Sequence, residues 1–154
     1  VNGSDEELRS QLVGTYRLVS VESTSEEGEV QRPFGEHPDG FMAFTPEGYM
    51  VAVLARHDRP TFADGDIMGG TDQERAAAFL SASAFAGRFE IREGRLVNTI
   101  GAATFQNWTD TVQVRDFEVT GEELTLVTPA LLMGGALRSS TVRLERLERV
   151  APPT

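Results

Sequence analysis

Arginine and tyrosine are the side chains of this 154-residue sequence best suited to hold or polarise a small molecule. Residues 112–118 alternate, with Gln113, Arg115 and Phe117 on one face and Val112, Val114, Asp116 and Glu118 on the other. If Arg115 lies on the inward face, its guanidinium must be paired or must meet an anion, because a dry, isolated charge is costly. An ion pair with Glu145 or another acid would satisfy it, and so would a ligand. Tyr16 and Tyr49 are the only phenols, each opening a strand-like run. As donors they can orient a carbonyl or stabilise an enolate, although a strand tyrosine more often packs its ring and wets its hydroxyl. The sole tryptophan, Trp108, follows Asn107 in a loop and is placed either to close a cavity mouth or simply to pack.

The remaining inventory limits the chemistry. There is no cysteine and no lysine, which excludes disulfides, thiol catalysis, Schiff bases and the P-loop lysine. His37 and His57 are the only histidines, too few for a three-histidine metal site. Asp58 follows His57, but neighbours in an extended chain point apart, so a dyad is weakly supported. Asp58, Asp64 and Asp66 do not reproduce the calcium-loop ladder, and Gly69-Gly70 and Gly134-Gly135 lack the strand-to-helix setting of a phosphate-binding turn. No metal or cofactor is therefore expected. A net charge of −10, with arginines scattered singly among acids, argues against nucleic acid and anionic lipid as partners. No apolar run approaches the ~20 residues of a membrane span, and no charged-then-apolar leader is seen at the start. A cytoplasmic location is expected, with export not excluded, since absence of cysteine suits both.

These residues need a scaffold, and the sequence predicts one domain over residues 1–150 with a frayed tail at 151–154. Ser4 and Glu7 have capping-box spacing ahead of Leu8 and Leu12, predicting a short N-terminal helix that serves as a lid or plug. From residue 15 the period changes to two, with Tyr16, Leu18 and Ser20 on one face and Arg17, Val19 and Val21 on the other. Residues 26–40 read as an acidic loop. Strand-like runs at 41–44 and 49–55 flank Pro46-Glu47-Gly48, a hairpin turn. An irregular stretch over 56–70 leads to a second capping box, Thr71 with Glu74, and a helix to about residue 83. Further strands are predicted at 88–91, 96–103, 111–119, 124–128 and 136–147, with 129–135 as a connection. About eight strands in hairpin order with one inserted helix predict a mainly all-β fold, an up-and-down barrel or a sandwich.

Four stretches bear on the choice: LVGTYRLVS at 12–20, RPFGEHPDGFMAFTPEGYMVAVL at 32–54, AFAGRFEI at 84–91 and FQNWTDTVQVRDFEV at 105–119. In order and spacing they resemble the bacterial lipocalin-like domain family of small calycin-type barrels. The resemblance implies a closed antiparallel barrel of about eight strands, with the helix between the third and fourth, around an internal cavity for a small, largely apolar molecule. It also implies that Gln113, Arg115 and Phe117 point inward. Three positions depart from the family pattern. Tyr16 stands where tryptophan is common, Asn98-Thr99 where a fifth-strand histidine is common, and Leu144 where an aromatic often precedes the Glu-Arg pair.

Apolar candidates for the lining are Phe41, Phe44, Met50, Val53, Leu54, Phe79, Phe85, Phe89, Ile100, Phe117, Leu126 and Met133. These would equally fill a solid core. The expected ligand site combines Arg115, Gln113, Tyr16, Tyr49 and Asn98 with Phe41, Met50, Phe89, Phe117, Trp108 and Met133. Two functions fit it. One is binding of a small apolar or amphipathic metabolite. The other is a cofactor-independent cyclase or isomerase of secondary metabolism, with Arg115, Tyr16 and Tyr49 as its catalytic groups and preorientation as its main device. Homodimerisation through an edge or the helix is a further expectation.

Overall fold

A computed structural model of the protein describes residues 3–148, so the predicted tail at 151–154 lies outside the described residues. Helix α1 (Asp5–Leu12) begins with the expected reciprocal cap: the Ser4 hydroxyl accepts from the Glu7 N–H while the Glu7 carboxylate accepts from the Ser4 N–H. Nine strands follow: β1 (Gly14–Ser25), β2 (Val30–Gln31), β3 (Asp39–Phe44), β4 (Tyr49–Ala55), β5 (Ala82–Arg92), β6 (Arg95–Ala103), β7 (Val112–Thr120), β8 (Glu123–Met133) and β9 (Ala136–Arg146). Helix α2 (Asp72–Leu80), capped by Thr71 and Glu74, lies between β4 and β5. All strand pairs are antiparallel neighbours, and β9 returns to pair with β1. This closes an eight-stranded up-and-down barrel, while two-residue β2 merely extends the edge of β1. Closure pairs every barrel strand on both sides, with β6–β7 the shortest ladder.

Alternation supplies the interior. Along β3 and β4, Gly40, Met42, Phe44, Met50, Ala52 and Leu54 are buried, and the intervening residues face out. Three bulges reset this period. The bulge between Leu18 and Ser20 places Tyr16, Leu18, Val21 and Ser23 inside, so Val21 is not opposite Leu18 as a strict alternation predicts. A second falls at Ala86/Gly87, where the Thr99 carbonyl comes so close that a Cβ would have no room. The third, between Thr128 and Leu131, lets β8 run on to Met133 rather than ending in a connection over 129–135. Gly134 and Gly135, both at positive φ, make the tight turn into β9.

One end of the barrel is closed by α1, which buries Leu8 and Leu12. Asp5 also accepts hydrogen bonds from the backbone N–H groups of Glu93 and Gly94 in the β5–β6 turn, at 3.0 and 2.8 Å. Toward this end and through the middle, Leu18, Met42, Phe44, Met50, Leu96, Ile100, Leu124, Leu126 and Leu144 are each no more than 2% exposed. They pack together as one continuous hydrophobic core.

Candidate functional site

The opposite end, the mouth, is where polar groups enter the interior. Strands β6 and β7 pair over only four positions, Leu96–Thr99 against Val112–Arg115. Beyond them the strands part, and the short 3-10 helix Gln106–Trp108 occupies the gap, tied in by the Asp110 N–H to the Ile100 carbonyl and the Ile100 N–H to the Thr111 carbonyl. Trp108 stands edge-on to Phe85 at 5.5 Å and to Phe105 at 5.7 Å between ring centroids. Such edge contacts hold aromatic rings in defined orientations.

Arg115 lies next to this aromatic group. Its side chain is 5% exposed, and its guanidinium carbon is 5.5 Å from the Phe85 ring centroid. Nη2 donates to the Gln113 Oε1 at 2.8 Å, whereas among the described residues Nε has no acceptor and no carboxylate pairs with the group. Burial alone pulls its pKa down to about 10, which leaves it charged at neutral pH. Two more buried polar atoms lack partners on the same interior: Asn98 Oδ1, on a residue directly across the strand pair from Gln113, and Ser23 Oγ on β1. Buried polar atoms without a protein partner are uncommon. Arg138 on β9 is also buried but is satisfied, donating to the Glu29 Oε2 at 2.9 Å and the Glu29 carbonyl at 3.2 Å.

The expected site residues fall into three groups. Arg115, Gln113, Asn98 and Trp108 come together at the mouth. Met50, Phe89 and Phe117 point inward but belong to the hydrophobic core, and Met133 sits at the far tip of β8 opposite Ala136. Tyr16, Tyr49 and Phe41 are corrections. Tyr16 is at the α1 end, its hydroxyl already donating to the Leu12 carbonyl and accepting from Arg146, each at 2.7 Å. Tyr49 and Phe41 face outward, because Met42, Phe44 and Met50 take the inward positions of the same hairpin. Val53 and Phe79, expected in the lining, are exposed too.

Other pairings also differ from expectation. Glu145 does not meet Arg115 but pairs with Arg17 at 2.8 Å on the outer surface. Asp58 chelates Arg56 through both carboxylate oxygens, and His57 instead faces Asp39 at 3.1 Å. Asp64 and Asp66 accept from loop N–H groups, and no set of three or more metal-ligating side chains converges among the described residues. No helix there is long and apolar enough to cross a membrane. Phe85 was expected as an apolar lining candidate without a role beside Arg115, and Ser23 was not expected at all, because the bulge in β1 hides its inward phase. Arg138 shares alternate positions with Val142 and Leu144, a readable sign of its inward face.

Of the outer-surface pockets near a helix, two are the most apolar-lined. One of about 490 Å³ separates the 56–62 segment from α2, and its cations are already engaged: Arg56 by Asp58, and Arg59 by Ser81 Oγ at 2.9 Å. The other, about 520 Å³, runs between α1 and the β7–β8 pair and includes Leu8, Gln11, Phe117 and Val119. Neither contains an unpartnered buried charge.

Comparison with known proteins gives two findings. The lipocalin-like domain family matches residues 13–147. The 4'-hydroxy-3'-methoxypropiophenone carrier protein ppsC of Aspergillus oryzae is 28% identical, over a match that covers 58% of this chain and 90% of that protein.

Proposed function

The chain belongs to the lipocalin-like domain family, and from that premise we propose that it is a carrier, binding a small aromatic, amphipathic molecule at the barrel mouth. The observation that carries this reading is Arg115, buried without a carboxylate partner beside the Phe85–Trp108 pair. A desolvated guanidinium works against folding unless its charge is put to use. The aromatic rings supply an apolar, planar-compatible wall for the ligand body, and Arg115, Gln113 and Asn98 fix its polar end.

Likeness to the ppsC carrier supports an aryl ketone or a related phenolic as the ligand class. Binding is favoured over cyclisation or isomerisation because the phenols that would take part are elsewhere. Tyr16 is committed to Leu12 and Arg146, and Tyr49 is outside the barrel. Entry requires displacement of Trp108, whose three-residue helix has no side-chain cap.

Because Trp108 is the only tryptophan, its fluorescence reports on the site alone. Titration with 4'-hydroxy-3'-methoxypropiophenone and neutral aryl ketones should quench it saturably at micromolar concentrations. Unchanged emission up to the solubility limit of the ligands would refute the carrier function.

A further inference from the structure

We propose that the mouth takes its ligand as an aromatic anion, an arene carboxylate or a phenolate acidified by a conjugated acyl group, with the charge seated on Arg115. This rests on the aromatic-carrier function proposed above and specifies which ionic form is carried.

The inward faces toward the mouth make the case, with Gln113 bonded to Arg115 and Phe85 against its guanidinium. From the inward positions of the surrounding strands come Phe85 and Ser83 on β5, Asn98 on β6, Gln113 on its own strand, Thr128 on β8, Ser140 on β9 and Ser23 on β1. None carries negative charge. Among the described residues the one other ionisable group buried at this end is Arg138, and its charge is matched by Glu29. The interior around Arg115 is therefore electropositive, within a protein whose net charge is −10. A neutral ligand leaves that buried charge uncompensated, whereas an anion cancels it and accepts from the free Nε–H in a charge-assisted bond. Asn98 Oδ1 remains as an acceptor for a hydroxyl of the same molecule. The Phe85 and Trp108 rings restrict the body to a flat one, and flat, delocalised anions match a planar guanidinium.

The test uses matched pairs on the full chain at pH 7.5, read by Trp108 quenching: 3,4-dimethoxybenzoate against its methyl ester, and 4'-hydroxy-3'-methoxypropiophenone against its 4'-O-methyl ether. The charged or ionisable member of at least one pair should bind about tenfold tighter or better, since a charge-assisted hydrogen bond in a desolvated site is gained only by that member. Preference in the first pair alone identifies a carboxylate as the cargo, and preference in the second alone a phenolate. For the ketone, the red-shifted phenolate absorption band should appear on binding at a pH below that of its free ionisation. Arg115→Met, or Arg115→Gln if the first variant does not fold, should bring the two members of each pair to equal affinity. Equal binding of both members in wild-type protein would overturn the inference and leave the carrier function standing. Absence of quenching by all four compounds would overturn both.

Discussion

The Arg146 guanidinium lies 4.8 Å from the centroid of the Tyr16 ring and donates to its hydroxyl at 2.7 Å, joining the last strand of the barrel to the first. The same arginine donates to the Gln11 and Val13 carbonyls, and Tyr16 donates to Leu12. Together they bind the otherwise unpaired carbonyls at the end of α1 and fix the plug. Gly14 is part of this arrangement, since a Cβ there would collide with Arg146.

Tyr16→Phe should therefore destabilise the fold by about 1–2 kcal/mol, the typical cost of a lost buried hydrogen bond. Ligand binding at the mouth should be unchanged. Burial raises the Tyr16 pKa above its ordinary value, with Arg146 partly opposing the rise. A raised folded-state pKa means that the stability contributed is complete below the unfolded pKa of about 10 and is lost as pH climbs through the folded value. Thermal melts from pH 8 to 11 should show an alkaline loss in wild type that is smaller in Tyr16→Phe; identical alkaline profiles would count against this role.

Arg115→Met should have the opposite effect on stability. The guanidinium is desolvated without a counter-charge, so an apolar side chain of similar length should stabilise the ligand-free protein by about 1–3 kcal/mol. Because the arginine pKa is lowered to about 10, the wild-type penalty is full below that pH and is relieved only above it. Denaturant unfolding at pH 7.5 measures the difference. A large loss of stability on substitution would identify Arg115 as a structural residue rather than one kept for binding.

The barrel was legible because its signals are local. Both capping boxes, at Ser4/Glu7 and Thr71/Glu74, and the Pro46-Glu47-Gly48 turn are fixed by residues within one helical turn or hairpin loop. The phase of each strand is not local. Phe41 and Tyr49 look like lining residues by type, yet the β3–β4 register assigns the interior to Met42 and Met50, and the bulge in β1 shifts the pattern where no glycine or proline marks the step, while the one in β8 falls at Pro129, a residue that reads as the end of a strand. Pairing partners are farther still from view. Arg138 meets Glu29 across a separation of 109 residues, and Arg115, for which Glu145 is a plausible partner by type, has no acid beside it because Glu145 sits on the outer face. Strand alternation tells which residues share a face, but the charge balance of that face exists only once the barrel closes.

The Glu29–Arg138 pair predicts a second pH dependence, on the acid side. Hydrogen bonds from Gln31 first, then from Arg138, together with the Arg138 charge, hold the Glu29 carboxyl below its usual range. A depressed folded-state pKa gives stability that is present above the unfolded value and disappears as pH falls through the folded one. Below about pH 4 the β1–β2 turn should loosen around a buried Arg138 that has lost its counter-charge. Glu29→Gln should bring the same loosening to neutral pH, seen as faster amide exchange and proteolysis over residues 25–31. Unaltered exchange there would mean that the carbonyl of Glu29 suffices to hold Arg138.

The carrier function proposed above predicts entry past Trp108. Its ring lies edge-on to Phe85, whose own ring lies against the Arg115 guanidinium, while α1 at the other end is anchored at several points. Removing the indole is the least costly way to open the barrel. Trp108→Ala should raise the association rate of an anilinonaphthalene dye several-fold, with a stability loss of about 1–3 kcal/mol for a partly buried aromatic. Trp108→Phe, which preserves an edge contact with Phe85, should stay near wild type in both respects. Stopped-flow dye binding distinguishes the routes. If the alanine variant binds dye no faster, entry does not pass the β6–β7 gap, and the groove between α1 and β7 becomes the path to examine by cross-linking α1 in place.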